Sequence, residues 1–418
     1  MQDKNVSLND FEQCIKCTIC TAYCPVVAVN PNYPGPKQAG PDGERLRLKN
    51  KFFYDENLKY CMNCKRCEVA CPSGVKIADI IQSARRRFSR DIPDLRDRIL
   101  ANTDFMGRFA RPVAPLANSL VSLGPVKGFM DVMMDIDKSK TFPKYQRKGF
   151  VGWFNKVASR SQDNYKKKVA FFHGCSTEFQ HPEVGEAFVK VLNAIGYGVE
   201  LMDEKCCGVA MIANGLWNSA RRHAEHNVKI FKEVAKEGLP IVSVSSTCAL
   251  TMRDEYPDVL EVDNSAVRDS ITLVEKFLFE LIDSGEVKLV FKEDYRARIA
   301  YHVPCHNEKL GWGIFTKALL GMIPGVSLTV LDSNCCGMAG TYGFKKENHA
   351  YSKEIGRPLF ENIKSVAPDF VCCECDTCKW QIEMCTGYQT LNPIIVLAQA
   401  LDLEDTAAAN DVPVPPCS

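Results

Sequence analysis

Residues 14–25 read CIKCTICTAYCP, and residues 61–72 read CMNCKRCEVACP. Both runs space four cysteines as C-x2-C-x2-C-x3-C and follow them with proline. In such a run, three closely spaced thiolates surround one corner of a [4Fe-4S] cube, and the fourth cysteine reaches the neighbouring cube. The two runs therefore predict two [4Fe-4S] clusters near the N-terminus.

The spacing also implies a crossed assignment of the ligands. One cluster takes Cys14, Cys17, Cys20 and Cys71, and the other takes Cys61, Cys64, Cys67 and Cys24. Zinc also uses C-x2-C pairs, but two matching four-cysteine runs with trailing prolines favour iron–sulfur clusters. The intervening segments DGERLRLKN (42–50) and DENLKYCMN (55–63) are typical of short helices. We therefore expect a mostly helical two-cluster ferredoxin domain over residues 1–95.

The composition narrows the class of protein. The chain of 418 residues contains 21 cysteines, and the N-terminus lacks the basic and apolar regions of a signal peptide. Clustered thiols are then better interpreted as metal ligands than as disulfides.

No run of 18 apolar residues predicts a spanning helix, so we expect a cytoplasmic or peripheral membrane protein. A net charge of +1 gives no reason to expect a nucleic-acid partner, and the absence of G-x-G-x-x-G and Walker motifs predicts no bound nicotinamide, flavin or nucleotide.

Beyond residue 165 the chain repeats itself at an offset of 129 or 130 residues. LMDEKCCGVAMIANG (201–215) matches VLDSNCCGMAGTYG (330–343), and SSTC (245–248) matches CDTC (375–378). Short β-rich runs alternate with helical stretches, which predicts a tandem repeat of α/β domains with parallel sheets. We place the first Cys-Cys-Gly domain, copy one, at residues 166–290 and the second, copy two, at 291–418. Residues 96–165 form a linker.

The repeated cysteines follow the predicted strands, and open α/β sheets bind ligands at the carboxyl ends of their strands. Copy two supplies five thiols: Cys305, Cys335, Cys336, Cys375 and Cys378. Copy one supplies four, because Ser245 stands where copy two has Cys375: Cys175, Cys206, Cys207 and Cys248. Copy two is expected to bind a third iron–sulfur cluster, and copy one is a candidate for a fourth metal site. Zinc, or packing without metal, is the alternative for either copy. Four cysteines fall outside the repeat and are expected to pack or to lie on the surface: Cys372, Cys373, Cys385 and Cys417.

Three further features have two interpretations each. The uncharged segment 112–126, with FMDVMMDI after it, is either an interfacial helix pair that docks on lipid or quinone, or a linker packed over the ferredoxin domain. The basic runs RRRFSR (85–90) and KKK (166–168) face either anionic partners or solvent. His173, His302 and His306 either tune a cluster or donate protons to quinone, or they are satisfied structural histidines.

The ferredoxin runs followed by two Cys-Cys-Gly domains resemble the iron–sulfur subunits of heterodisulfide reductase, glycolate oxidase, lactate-utilisation complexes and anaerobic glycerol-3-phosphate dehydrogenase. The block NPNYPGPKQAGPDGERLRLK (30–49) and the words CCGMAGTYGFKKEN and CDTCKWQIEM resemble the last group most. The resemblance implies an electron-transfer subunit that takes electrons from flavoprotein subunits and passes them to menaquinone. It implies a peripheral position on the cytoplasmic face of the inner membrane and no substrate site of its own. In the heterodisulfide type, five such cysteines hold a non-cubane cluster, so copy two matches and copy one departs at Ser245.

Three other functions stay open at this point. The first alternative is a reductase with a catalytic Cys-Cys-Gly cluster. The second is the iron–sulfur subunit of a glycolate or lactate oxidase, and the third is a structural adaptor with zinc in its C-terminal half.

Overall fold

The computed structural model describes residues 11–50, 53–89 and 92–412. The N-terminal region consists of short helical segments separated by the cysteine loops, and its buried apolar core includes Leu58, Ile77 and Ile80. Its α-helices are Ile19–Ala22, Gly43–Lys49, Arg66–Val69 and Ile77–Phe88, with a wider helical turn at Gln38–Asp42 and a 3₁₀ turn at Glu56–Tyr60. The mostly helical ferredoxin-like region predicted from the spacing is thus confirmed, and the DENLKYCMN segment forms a 3₁₀ turn rather than an α-helix.

The linker between the ferredoxin region and the repeat is also helical. Its α-helices are Leu95–Ala101, Thr103–Ala110, Ala114–Ser122, Gly124–Met133 and Phe150–Trp153, followed by wider and tighter helical turns at Phe154–Ala158 and Ser159–Asn164. Ala101 belongs to the core of copy one, and Leu100 and Phe142 pack against the core of copy two. The linker thus contacts both repeated domains through residues that lie outside the segment 112–126.

Each repeat forms a four-stranded, wholly parallel sheet. Copy one has strands β1 (Lys167–Phe172), β2 (Tyr197–Leu201), β3 (Ile241–Ser243) and β4 (Ile271–Leu273) in the order β2-β1-β3-β4. Its helices are Gly174–Phe179, Pro182–Ala194, Val209–Ala213, Trp217–Lys236, Ser246–Leu250, Tyr256–Asp258 and Val274–Asp283. Helices cover both faces of the sheet because parallel strands need crossover connections.

Copy two repeats the same topology. Its strands are β5 (Ala297–Tyr301), β6 (Val326–Val330), β7 (Phe370–Cys372) and β8 (Thr390–Leu391), in the order β6-β5-β7-β8. Its helices are Cys305–Leu310, Gly313–Gly321, Lys346–Val366, Asp376–Thr386, Pro393–Ala400 and Leu403–Ala409. The tandem α/β repeat predicted from the sequence is confirmed. The fourth strand of each copy, β4 or β8, was not predicted, and β8 has only two residues.

One apolar core joins the two copies. Phe171 of β1, Phe188 of the following helix and Tyr301 of β5 all belong to it, and none of the three side chains is exposed to solvent. Helices Pro182–Ala194 of copy one and Pro393–Ala400 of copy two pack against each other across this core. The shared core fixes the orientation of the two sheets, and therefore the distance between the strand ends that carry the cysteines.

Candidate iron–sulfur and metal sites

The first predicted cluster set comes together as the crossed assignment requires. Burial raises the pKa of Cys20, and the charges of Cys14, Cys71 and Cys17 raise it further, so these four thiols interact electrostatically. The backbone N–H of Val75 donates to Cys71 Sγ at 3.4 Å. Cys17 is exposed, whereas Cys20 is buried. Cys71, from the second run, thus lies near the three cysteines of the first run, as the crossed assignment expects.

The second set assembles around Cys24, which lies far from the other three in the sequence. Burial raises the pKa of Cys24 to about 11, and the charges of Cys61 and Cys20 add to this effect. The pKa of Cys67 is also raised well above its usual range, first by burial and then by neighbours that include Cys64, Cys61 and Cys24. Four thiols packed this closely cannot lose their protons together unless a cation neutralises them, so the donor set fits a metal cluster.

The two cysteine runs share an unusual backbone. Lys16 and Thr18 have φ values of 59° and 65°, and Asn63 and Lys65 at the equivalent positions have 54° and 63°. A non-glycine residue in the left-handed region costs about 1–2 kcal/mol. Such strain persists where the surrounding structure demands it, and functional loops are a common setting. Here the left-handed residues turn each cysteine run around a common centre.

In copy two, the five predicted thiols form a continuous chain of sulfur contacts. Cys305 contacts Cys335, Cys335 contacts Cys336, Cys336 contacts Cys378, and Cys378 contacts Cys375. The contacts with Cys335 and Cys378 lower the pKa of Cys336 to about 6, and the contact with Cys378 lowers the pKa of Cys375 to about 6. Each cysteine follows β5, β6 or β7, so the parallel topology brings them together. The site can supply thiolates to several irons at once.

Gly337 in copy two has no room for a side chain. Its φ is +82°, and a Cβ there would lie 2.0 Å from the carbonyl oxygen of Ser352. The equivalent Gly208 has φ of +90°, but its Cβ would meet nothing closer than 3.5 Å.

We expect Gly208→Ala to cost about 1–2 kcal/mol of unfolding free energy, the cost of the left-handed backbone alone. Gly337→Ala should cost clearly more, because the Ser352 backbone must also move. Thermal unfolding of both variants, purified without oxygen, measures the difference. Equal decreases in Tm would contradict the steric argument.

Arg66 connects the second ferredoxin set to copy two. Its guanidinium donates to Glu308 Oε2 at 3.1 Å, to Ser333 Oγ at 2.9 Å and to the Ser333 carbonyl at 2.9 Å. Burial raises the pKa of Cys64, and the charge of Cys305 raises it further. A thiol of the second ferredoxin set therefore lies beside a thiol of copy two. No motif in the sequence indicates this contact, because Arg66 and Ser333 are 267 residues apart.

Copy one repeats the chain of sulfur contacts with four thiols. Cys175 contacts Cys206, Cys206 contacts Cys207, and Cys207 contacts Cys248. The Sγ atoms of Cys175 and Cys206 are 3.7 Å apart. Ser245, at the position of the missing fifth cysteine, accepts a hydrogen bond from the Cys248 backbone N–H at 3.4 Å and caps the helix that begins at Ser246.

A residue that the sequence did not single out also reaches copy one. Asp104 Oδ2 accepts a hydrogen bond from the Cys206 backbone N–H at 3.0 Å, and burial raises the pKa of Asp104 to about 6. Thr103 Oγ1 donates to Cys175 Sγ at 3.3 Å and to Cys206 Sγ at 3.5 Å. Both residues belong to the linker, and their distance in sequence from the cysteines left no pattern to detect.

The three histidines beside the first cysteines differ from one another. His173 Nε2 lies 3.2 Å from Glu204 Oε1, and His306 Nε2 is bonded to the Asn63 carbonyl at 3.2 Å. His302 is buried, and neither ring nitrogen has a hydrogen-bond partner among the described residues. Burial, followed by the charge of Arg66, lowers the pKa of His302 to about 4. The satisfied-histidine interpretation is therefore wrong for His302.

The basic runs are largely neutralised within the chain. Arg86 pairs with Glu261, and Arg87 pairs with Glu44 at 2.7 Å. Lys167 and Lys168 pair with Glu286 and Glu200 at 2.7 and 2.8 Å. Of the cysteines outside the repeat pattern, Cys372 and Cys373 are buried and Cys385 is partly buried, whereas Cys417 lies outside the described residues.

Comparison with known proteins agrees with this architecture. Residues 10–75 match the model of the 4Fe-4S dicluster domain, and residues 169–253 and 299–383 match that of the cysteine-rich domain. Iron–sulfur clusters are thus supported by family as well as by geometry.

Full-length relatives narrow the family further. The chain is 26% identical to the glycolate oxidase iron–sulfur subunit of Escherichia coli K12, over 82% of this chain and 85% of the relative. It is 22% identical to a subunit of the dihydromethanophenazine:CoB–CoM heterodisulfide reductase of Methanosarcina barkeri, over 95% of this chain and 94% of the relative. Identity reaches 53% with a subunit of the anaerobic glycerol-3-phosphate dehydrogenase of Escherichia coli K12, over 94% of this chain and the full length of the relative. The chain therefore belongs to the family of this iron–sulfur subunit of anaerobic glycerol-3-phosphate dehydrogenase.

Proposed function

We propose that this chain is the electron-transfer and membrane-docking subunit of an anaerobic glycerol-3-phosphate dehydrogenase. In this role it takes electrons from flavoprotein partner subunits, passes them to menaquinone, and sits peripherally on the cytoplasmic face of the inner membrane. The name of the relative that is 53% identical supports glycerol 3-phosphate as the substrate of the complex. The observation that carries the electron-transfer role is the unbroken series of thiol sets through the molecule.

The series has three steps. The two ferredoxin sets exchange their fourth cysteines, Cys24 and Cys71, which keeps them adjacent. Cys64 of the second set then lies beside Cys305 of copy two, and Arg66 holds the two regions together. Finally, Thr247 Oγ1 of copy one lies 3.5 Å from Cys375 Sγ of copy two. Electrons therefore have a path from the N-terminal region into the C-terminal half that needs no movement of the domains.

We assign one [4Fe-4S] cluster to each ferredoxin set and a third iron–sulfur cluster, of cubane or non-cubane type, to the five thiols of copy two. Copy one holds a fourth metal site. These clusters supply one-electron carriers, and the chain contributes thiolate ligation, spacing and burial. Gly337 N–H donates to Cys335 Sγ at 3.3 Å, and the Gln82 amide lies 3.7 Å from Cys61 Sγ. Hydrogen bonds of this kind to cluster sulfurs raise the reduction potential by stabilising added negative charge.

The proposed membrane contact is the apolar linker face, which we define as the exposed apolar side chains of residues 105–133. It comprises nine large side chains: Phe105, Phe109, Val113, Leu116, Leu120, Leu123, Phe129, Val132 and Met133. Their exposed fractions range from 44% for Leu120 to 74% for Val132. Among the described residues, no helix combines the length and the apolar character that crossing a bilayer requires. Short helices with one apolar side instead suit the interfacial zone of a membrane.

The test is the activity of the assembled complex, purified without oxygen and given a menaquinone analogue. We expect reduction of the quinone with glycerol 3-phosphate and not with glycolate or lactate. A soluble dye that accepts electrons from the flavoprotein serves as the control. Activity with glycolate or lactate instead would show that the chain serves a glycolate or lactate oxidase. Disulfide reduction by the chain alone would favour a catalytic cluster in copy two.

A further inference from the structure

A cavity lies where the ferredoxin region, the start of the linker and both repeated domains meet. Its volume is about 310 Å³, which is within the range of small-molecule sites, and such sites are often found between domains. Residues 59–63 of the ferredoxin region, 213–215 of copy one and 341–342 of copy two line it. Among its described lining residues, Cys61 is the only cysteine, so the cavity is separate from the space that the four thiols of the second ferredoxin set surround.

Two equivalent loops of the repeat form part of the wall, one following each Cys-Cys-Gly motif. The two loops are joined, because Asn214 Nδ2 of copy one donates to Thr341 Oγ1 of copy two at 2.8 Å. At the repeat offset of 129 residues, copy two has Tyr342 where copy one has Ala213. The wall is therefore asymmetric, with a phenol contributed by one copy and a methyl group by the other.

Four polar atoms of this wall have no hydrogen-bond partner among the described residues. They are Tyr342 Oη and the Oδ1 atoms of Asn63, Asn214 and Asn348. Tyr342, Asn214 and Asn348 have exposed fractions of only 7%, 5% and 6%. Buried polar atoms are hydrogen-bonded in nearly all folded proteins, so several unpartnered ones around a single cavity indicate a ligand with polar atoms of its own.

The rest of the wall favours an uncharged aromatic ligand. Four of its charged residues form two ion pairs, Arg96 with Glu347 at 2.9 Å and Lys345 with Asp97 at 2.8 Å. Their charges are thus already neutralised by one another. Much of the remaining lining is apolar or aromatic, and it includes Tyr60, Met62, Pro93 and Trp217.

We propose that this cavity binds the head group of the quinone that the complex reduces. The inference rests on the proposed function and adds the place and the contacts of the electron acceptor. The Tyr342 hydroxyl donates to a carbonyl oxygen of the quinone, and the amide oxygens of Asn214 and Asn348 accept from the hydroxyls of the quinol. The wall can therefore bind both redox forms. Ile92 also lines the cavity and is 81% exposed, so it offers an apolar exit for the isoprenoid side chain.

The position of the cavity suits the delivery of electrons. Cys61 belongs to the second ferredoxin set, and the loop that carries Tyr342 begins at Cys336 of the copy-two set. The quinone takes up two electrons from these neighbouring clusters and two protons from water, and it leaves as quinol. Oxidation of glycerol 3-phosphate in the flavoprotein subunits supplies the electrons.

The first test maps the site with a photoreactive menaquinone analogue that has a short side chain. The full chain, purified without oxygen, is illuminated with the analogue and digested, and the labelled peptides are identified by mass spectrometry. We expect label within residues 213–217 and 339–348, and an excess of analogue without the photoreactive group should remove it. Label confined to other segments, or label that the excess does not remove, would overturn the proposal.

The second test measures the contribution of the phenol. Tyr342→Phe removes a hydroxyl that has no partner among the described residues, so the variant should keep the wild-type Tm. Its Kd for the analogue, measured by equilibrium dialysis, should rise about tenfold, the effect of losing one hydrogen bond to the ligand. The KM for the analogue in the complex should rise similarly, while reduction of a dye that reacts at the flavoprotein stays unchanged.

A second variant, Ala213→Phe, places a ring in the cavity and should weaken binding at least as much. The matched control is Tyr295→Phe, because Tyr295 packs against the core shared by the two copies, and it should bind as the wild type. An unchanged Kd in both Tyr342→Phe and Ala213→Phe would overturn the site.

Failure of this inference differs from failure of the proposed function. Binding is measured without glycerol 3-phosphate, so a complex that oxidised glycolate or lactate instead would contradict the proposed function and leave the site supported. Quinone reduction by the complex without binding of the analogue to this chain would place the acceptor on another subunit and overturn the inference.

Discussion

Cys336→Ser is expected to remove about four irons per chain and to stop quinone reduction by the complex. Cys336 lies in the middle of the five-thiol chain of copy two, in contact with Cys335 and Cys378, and its pKa falls to about 6. A serine hydroxyl would not replace the Cys336 thiolate as a ligand of an iron–sulfur cluster. Iron and acid-labile sulfide analysis measures the loss, and glycerol 3-phosphate oxidation with the menaquinone analogue measures the activity.

The matched control for this variant is Cys207→Ser, which changes the equivalent cysteine of copy one. It should leave the copy-two cluster in place, because Cys207 is not among the five thiols of copy two. Electron transfer to a dye that reacts at the flavoprotein should survive in both variants. Full quinone activity in Cys336→Ser would show that electrons leave directly from the ferredoxin region, and it would favour the adaptor interpretation of the C-terminal half.

Replacing four residues of the apolar linker face with serine is expected to release the complex from membranes. The variant carries Phe109→Ser, Leu116→Ser, Phe129→Ser and Val132→Ser, at positions that are all at least 60% exposed. Burying one large apolar side chain contributes about 1.5–3 kcal/mol, so even partial insertion of four gives several kcal/mol. Since about 1.4 kcal/mol is a tenfold change in affinity, binding to phospholipid vesicles should fall by about 100-fold or more.

Flotation of the complex with vesicles containing anionic phospholipid measures this effect. The control variant replaces four exposed apolar residues elsewhere, Leu48, Ile314, Met322 and Val330, and should still float. Unchanged flotation of the linker variant would contradict membrane docking by this face. Loss of the flavoprotein subunits with lipid binding intact would instead assign the face to the partner.

Much of the fold could be predicted because its signals are local. The C-x2-C-x2-C-x3-C runs specify which thiols can reach one centre, and the offset of 129 or 130 residues identifies a repeated domain. Apolar runs such as VAFF and IAYHV marked β1 and β5 correctly, since strands buried on both faces are continuously apolar. The two-residue strand β8 was too short to carry such a signal.

The surroundings of the sites could not be predicted in the same way. The pairing of Arg66 with Ser333 and the bond between Asp104 and Cys206 join residues that are 267 and 102 positions apart. Each depends on how the ferredoxin region and the linker pack on the repeat, and neither Arg66 nor Asp104 was marked by a pattern that indicates its partner. The missing hydrogen bonds of His302 likewise follow from burial, which its sequence context does not indicate.

The sequence by itself predicted the thiol sets and the crossed ferredoxin assignment, and it identified the tandem repeat and the family. Those features follow from covalent spacing, because short loops and strand ends allow cysteines only a few arrangements. The tertiary structure alone decided which sets are neighbours, that the linker rests on the repeat with an apolar face outward, and that a carboxylate enters copy one while a guanidinium enters beside copy two. Such contacts arise from the packing of distant segments around a shared core, and that packing leaves no short-range pattern in the chain.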